Sequence, residues 1–167
     1  MFLSELNIWN FRKFGSSQEG DEVKPGLSLR FNKGFNLILG ENDSGKTAIL
    51  DAIKFVLMTQ SNDFIRLDYE DFHIPESSTN ENDRTDRLTI ECIFRDLTNE
   101  EAQSFLEWLS FEEVPSDGYK YILKLRLEAK RKYRRVYYDI RAGIDAEGKY
   151  INAEARDLLR VTYLKPL

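Results

Sequence analysis

Phe35-Asn36-Leu37-Ile38-Leu39-Gly40-Glu41-Asn42-Asp43-Ser44-Gly45-Lys46-Thr47-Ala48-Ile49 passes from an apolar run through a glycine-bracketed polar stretch and back into apolar residues. Gly40 to Thr47 matches the phosphate-binding loop G-x-x-x-x-G-K-[ST], and a chance match in a chain of this length has a probability on the order of 1%. The flanks supply the context that such a loop requires. Phe35 to Leu39 predicts a buried strand. From Gly45 to about Thr59, Ala48, Ile49, Ala52, Ile53, Val56 and Leu57 fall at helical spacing, and Leu50 and Phe55 widen the stripe enough to predict burial on more than one side. Strand, loop and helix in that order let glycines fold the backbone around an anion while N–H groups and the helix N-terminus point at it. Lys46 then adds a mobile charge for the β and γ phosphates, and Thr47 offers a hydroxyl to Mg2+.

Around this centre the chain reads mostly as strand. Phe2 to Trp9 has Leu3, Leu6 and Ile8 among polar residues, Leu27 to Phe31 alternates, and Asn32-Lys33-Gly34 predicts a tight turn that pairs the second of these with Phe35 to Leu39 as a hairpin. Leu88, Ile90, Cys92 and Phe94 alternate as another strand. Thr98 with Glu101 then forms a capping box for a helix whose Ala102, Phe105, Leu106 and Leu109 share a face. Leu123, Leu125 and Leu127, followed by Val136, Tyr138 and Ile140, predict an antiparallel pair joined by the basic stretch Lys130 to Arg135. A turn at Asp145 to Gly148 leads to a short strand at Tyr150-Ile151, a helix near Ala153 to Leu159 and a strand at Val161 to Leu164. The expected organisation is one domain over 1–167, with strands, loop and helix in 1–60 and a strand-rich part with helices in 87–167.

Composition narrows the class further. The 167 residues carry 24 Lys plus Arg against 29 Asp plus Glu, with 41% hydrophobic content, as in ordinary globular chains. The longest apolar run, Phe55 to Met58, is too short to cross a bilayer, and no secretory leader is evident, so no membrane partner and a cytoplasmic location are expected. Cys92 is the only cysteine and reads as a small buried hydrophobe; with a single His it cannot build a conventional zinc site. The net charge of −5 hides a segregation: residues 61–91 carry nine acids against three arginines, and residues 120–141 carry nine Lys or Arg against two acids. Lys130, Arg131, Lys132, Arg134 and Arg135 are therefore candidate contacts to a DNA backbone. Pro75 to Asp83 reads as a polar surface loop, His73 as a loop histidine with a local hydrogen bond, and Trp9 and Trp108 as packing residues.

The phosphate loop with Ala48 to Ile53, the segment Asn10-Phe11-Arg12-Lys13-Phe14, the strand Ile90 to Leu97 and the ending Val161 to Leu167 together resemble the ABC-type ATPase heads of the RecF, SMC and OLD (overcoming lysogenization defect) proteins. Among these the wording is most similar to the OLD-family ATP-dependent nucleases. The resemblance implies an α/β fold, the N-terminal lobe of an ABC-type head with a largely antiparallel β subdomain. It implies ATP with Mg2+ as cofactors at Gly40 to Thr47, and Arg12 as a phosphate contact. It also implies a partner lobe, a homodimer of heads that sandwich ATP, and a role in DNA repair or phage defence.

Two family elements are absent from the chain. The one Ser-Gly pair, Ser44-Gly45, belongs to the phosphate loop, so there is no signature motif, and no strand ends in paired carboxylates. Val136-Tyr137-Tyr138-Asp139 lacks the second acid and reads as an outer strand. The expectation is an incomplete head without catalytic residues of its own, its effector encoded elsewhere. The alternatives are a self-contained small nucleotide-binding protein, whose guanine-specific form would need Asn-Lys-x-Asp where Asn32-Lys33-Gly34-Phe35 stands, and an interaction module with a vestigial loop.

Overall fold

The computed structural model describes residues 1–58, 66–78, 80–115, 117–143 and 148–164. A seven-stranded antiparallel sheet organises them. β1 (Phe2–Trp9) lies between β4 (Leu27–Arg30) and β5 (Arg87–Arg95), and β5 pairs with the long β7 (Gly118–Lys132). The first part of β7 pairs with β6 (Leu109–Val114), and its second part pairs with β8 (Arg135–Ala142), which carries the short β9 (Lys149–Tyr150) on its far edge. Apart from this sheet, β2 (Ser17–Glu19) and β3 (Glu22–Lys24) form a small exposed hairpin with no apolar alternation to announce it in the sequence.

Strict alternation gives the large sheet two chemically distinct faces. Leu6 and Ile8, then Leu88, Ile90, Cys92 and Phe94, then Leu123, Leu125, Leu127 and Ala129, then Ile140 and Ala142, all turn to one side and are buried. Against them packs α1 (Lys46–Leu57) through Ala48, Ile49, Ala52, Val56 and Leu57. Leu50 points away and is 44% exposed, so α1 buries one broad stripe rather than several sides. The opposite face is laced with charges, including Arg95 bonded to Glu112 (2.7 Å) and Arg141 to Asp139 (3.2 Å).

The main departure from expectation lies immediately before the phosphate loop. Residues 35–39 belong to no strand, and Phe35, Leu37 and Leu39 are 87%, 67% and 80% exposed. The buried strand and its hairpin partnership are thus corrected: β4 pairs with β1 instead, and the Asn32–Asn36 turn is closed by the Asn36 side chain (Nδ2 to Asn32 O, 2.8 Å). An apolar strand forms only where another strand satisfies its backbone, and none of the described residues does so.

Other boundaries shift for local reasons. The capping box of Thr98 and Glu101 forms, but α2 covers only Asn99–Ser104, a 3-10 turn takes Leu106–Trp108, and Leu109 opens β6. Leu106 is therefore exposed while Ala102, Phe105 and Trp108 are buried. Lys130 to Lys132 lie within β7, so the connection to β8 is only Tyr133-Arg134. In the polar loop, Glu81–Asp83 form a 3-10 turn. α3 is Ala153–Asp157, and of the final strand only a bridge at Val161 remains, with Leu164 83% exposed. Thr59, most of the turn before β9 and 165–167 lie outside the described residues. Among the described residues no helix is long and apolar enough to cross a membrane.

Candidate functional site

Gly40 to Thr47 curls around the N-terminus of α1. The cap is Gly45 at φ 100°, a backbone region favouring glycine, and a Cβ there would stand 2.7 Å from Phe14 Cζ and 2.9 Å from Lys13 Cδ. Asp43 also turns with positive φ (64°). Ordinary helices end in a Ser, Thr, Asp or Asn cap that consumes the first free N–H groups. α1 has no side-chain cap and no acid in its first turn, so its terminal N–H groups keep their capacity for an external anion. Lys46 Nζ meanwhile donates to the carbonyls of Gly40 (2.8 Å) and Glu41, and lies 3.3 Å from Ser44 Oγ. Lys46 and Thr47 line a cavity of about 420 Å3, large enough for a nucleotide phosphate tail. Glycine curvature, an uncapped helix terminus, an ammonium and a hydroxyl on one small cavity form a donor set that fits a magnesium-bound polyphosphate.

The segment after β1 braces the loop. Lys13 Nζ donates to Asp43 O (2.7 Å), and Arg12, itself at φ 50°, lines the same cavity. The Arg12 guanidinium is already held by two carboxylates: Nε donates to Asp71 Oδ1 (2.8 Å) and one Nη to Asp51 Oδ2 (2.7 Å). Burial by itself lowers the Arg12 pKa, but the bonds to Asp51 and Asp71 outweigh it and raise the value above the ordinary one. Burial likewise raises the Asp51 pKa, yet bonds from Lys54 and Arg12 hold it below the usual carboxylate range. Arg12 thus ties the end of β1 to α1 and to the 3-10 turn Tyr69–Asp71, and its second Nη has no hydrogen-bond partner among the described residues. Asp51 and Asp71 escaped the sequence reading. Asp51 could have been found, because it follows Thr47 by four residues and so shares its helix face.

A larger cleft of about 880 Å3 opens at the far end of β7 and β8. Size alone does not make it the polyphosphate site, since it has neither a glycine loop nor a helix terminus. Lys130, Arg131, Lys132 and Arg134 line it, joined by Arg87, whereas Arg135 does not. Arg131 is only 10% exposed and spends its fork on the carbonyls of Thr85 (2.8 Å), Arg84 and Asn82 (3.3 Å). It is a brace for the neighbouring loop rather than a free cation.

The remaining candidates are structural. His73 Nδ1 lies 2.7 Å from the Arg12 carbonyl, Cys92 is fully buried, and Trp108 packs in the core with Nε1 bonded to Tyr150 O (3.1 Å). Trp9 lies on the charged face, its Nε1 donating to Val23 O. Among the described residues no group of acids, Cys or His could hold a metal ion.

Comparison with known proteins agrees with the loop geometry. The family model of an AAA domain matches residues 5–161, nearly the whole chain. The DNA replication and repair protein RecF of Pediococcus pentosaceus is 36% identical over 61 residues, and that of Shewanella pealeana is 46% identical over 61 residues. Each alignment covers 36% of this chain and 14% of the relative. The DNA double-strand break repair Rad50 ATPase of Pyrococcus abyssi is 43% identical over 53 residues, 32% of this chain and 5% of the relative. The chain therefore spans only a small part of the curated relatives it matches. It belongs to the AAA domain family, as an ATP-binding ABC-type ATPase region of the RecF and SMC class.

Proposed function

We propose that the chain is the nucleotide-binding N-terminal lobe of an ABC-type ATPase head in the cytoplasm, and that it takes ATP with Mg2+ at Gly40 to Thr47. The observation carrying this reading is the exposed apolar stretch 35–39, which feeds directly into the phosphate loop yet has no strand beside it among the described residues. Burying Phe35, Leu37 and Leu39 against further strands would stabilise an assembly by roughly 5 kcal/mol, at about 1.5–3 kcal/mol for each fully buried large apolar side chain. A second lobe that continues this sheet is the partner that fits.

In this reading Lys46 would exchange the Gly40 and Glu41 carbonyls for the phosphates, Thr47 would offer its hydroxyl to the metal, and Arg12 would turn to the cavity the Nη that has no hydrogen-bond partner among the described residues. The lobe binds and positions. Fast hydrolysis also needs an oriented water and compensation of charge on the γ-phosphoryl oxygens, which a second-lobe carboxylate and the signature loop of a paired head would supply. Nucleotide-driven pairing of two such heads would then control a DNA-processing effector of nuclease type. Among the branches of the class, the wording of the phosphate loop and its flanks resembles that of the OLD family. RecF and Rad50, both named for DNA repair, support a DNA-directed role, and the basic hairpin of β7 and β8 is the surface for it.

A phosphate-release assay tests the proposal. The purified chain should bind nucleotide with negligible turnover, and turnover should appear when the second lobe is supplied. Turnover by the chain alone on the order of one per second, abolished by Lys46→Ala, would contradict it.

A further inference from the structure

The cleft at the end of β7 and β8 is built in a way that backbone neutralisation alone does not require. Arg87 and Lys130 face each other across the β5–β7 ladder, and Lys132 follows on the same side of β7. Arg134 is held over the Tyr69 ring, 5.1 Å from its centroid, so this cation is positioned rather than free to wander. Arg131 fixes the floor through its bonds to the 82–85 carbonyls. One acid, Asp86, shares the lining and lies 3.5 Å from Arg131, so it offsets the cluster only in part.

Tyr133 stands at the tip of this hairpin. It occupies the first position of a two-residue turn at φ 56° and is 84% exposed. A bulky residue is costly there, and Gly would make the turn more easily. Burial does not account for an aromatic ring held in a strained turn beside a cationic cleft, and such outliers concentrate at ligand sites.

We propose that this cleft binds single-stranded nucleic acid, with successive backbone phosphates against Arg87, Lys130, Lys132 and Arg134 and an unstacked base against the Tyr133 ring. The inference deepens the DNA-directed role proposed above and rests on it for the class of partner. A duplex keeps its bases stacked inside and offers phosphates on a convex rod, so Tyr133 would find nothing to stack on. A single strand enters a concave cleft and turns its bases outward, and pairing cations with an aromatic platform is how such strands are gripped.

Fluorescence anisotropy with a labelled 15-nucleotide oligo-dT and a 15-base-pair duplex tests this on the full chain. Oligo-dT should bind more tightly than the duplex. With three to four phosphates neutralised, its affinity should fall roughly 20- to 50-fold between 50 and 200 mM salt. Tyr133→Ala should weaken oligo-dT binding roughly tenfold and leave duplex binding unchanged, and Tyr133→Phe should restore it. Tyr133→Gly suits the turn, so it should lose affinity without losing thermal stability. Equal or tighter duplex binding, no effect of Tyr133→Ala, or no oligo-dT binding at 50 mM salt would each overturn the proposal. Nucleotide titration of the same samples separates this from the lobe assignment: Mg2+-ATP binding that depends on Lys46 should persist in every Tyr133 variant, and its absence would count against the lobe instead.

Discussion

Gly45→Ala isolates the strain on which the phosphate loop depends. At φ 100° an alanine pays a left-handed backbone penalty of about 1–2 kcal/mol. Its Cβ would also stand 2.7 Å from Phe14 Cζ and 2.9 Å from Lys13 Cδ. The Lys13 stem can move away, but Phe14 is packed against the core, and overpacking of this kind costs about 1–3 kcal/mol. The sum is about 3 kcal/mol, or roughly 6–12 °C in melting temperature for a chain of this size. Gly34→Ala is the control, because Gly34 has a similar φ of 87° but nothing within 4 Å of its Cβ, so it should lose only about 1 kcal/mol. Thermal melts followed by circular dichroism measure both. Combining Gly45→Ala with Phe14→Ala should recover about 1–2 kcal/mol of coupling, since the second change removes the clash. Equal melting temperatures for Gly45→Ala and Gly34→Ala, or no coupling with Phe14, would refute the argument.

Leu37→Asp should leave the melting temperature of the chain within about 2 °C, since an exposed side chain contributes little, yet abolish co-purification with a second lobe; a loss of more than 5 °C would mean that the stretch is already packed. Asp51 has its pKa lowered in the folded chain, so its contribution to stability is present above the ordinary carboxylate pKa and is lost as pH falls through the folded value. Acid titration of unfolding free energy should accordingly show a weaker acid-side decline in Asp51→Asn, and identical profiles would contradict the Arg12–Asp51 tie. Burial, aided by the Glu91 charge, pushes the Cys92 thiol far above its usual pKa. A thiol reagent should therefore label it only in denaturant, whereas stoichiometric labelling of the native chain within minutes would show the β5 core to be open.

Much of this architecture was legible because alternation and spacing record burial directly. The runs at Leu88 to Phe94 and Leu123 to Leu127 place every second residue on one face of the sheet, and the structure buries those residues. The phosphate loop was legible because its geometry demands glycine and lysine at fixed offsets. What failed has a different origin. Phe35 to Leu39 has the composition of a core strand, but composition says only that a strand wants partners and not where they are encoded. Leu106 and Leu109 matched a helical face, yet the chain leaves the helix at Ser104 because β6 can add to the open edge of β7, a long-range pairing that no local window reveals. Arg131 looked like its basic neighbours, and only the carbonyls gathered around it distinguish a brace from a free cation. Asp71 reaches Arg12 across 59 residues of sequence, beyond the reach of any motif.

Isothermal titration of Mg2+-ATP into the chain and into Lys46→Ala bears most directly on the identity of the site. Among the described residues Lys46 bonds only to the loop itself and it is half-buried outside the core, so its removal should leave the melting curve intact. Saturable binding by the wild type that falls at least tenfold in Lys46→Ala, at unchanged melting temperature, is the expected result. Equal heats for the two proteins, or no saturable binding by the wild type, would contradict a nucleotide site at Gly40 to Thr47.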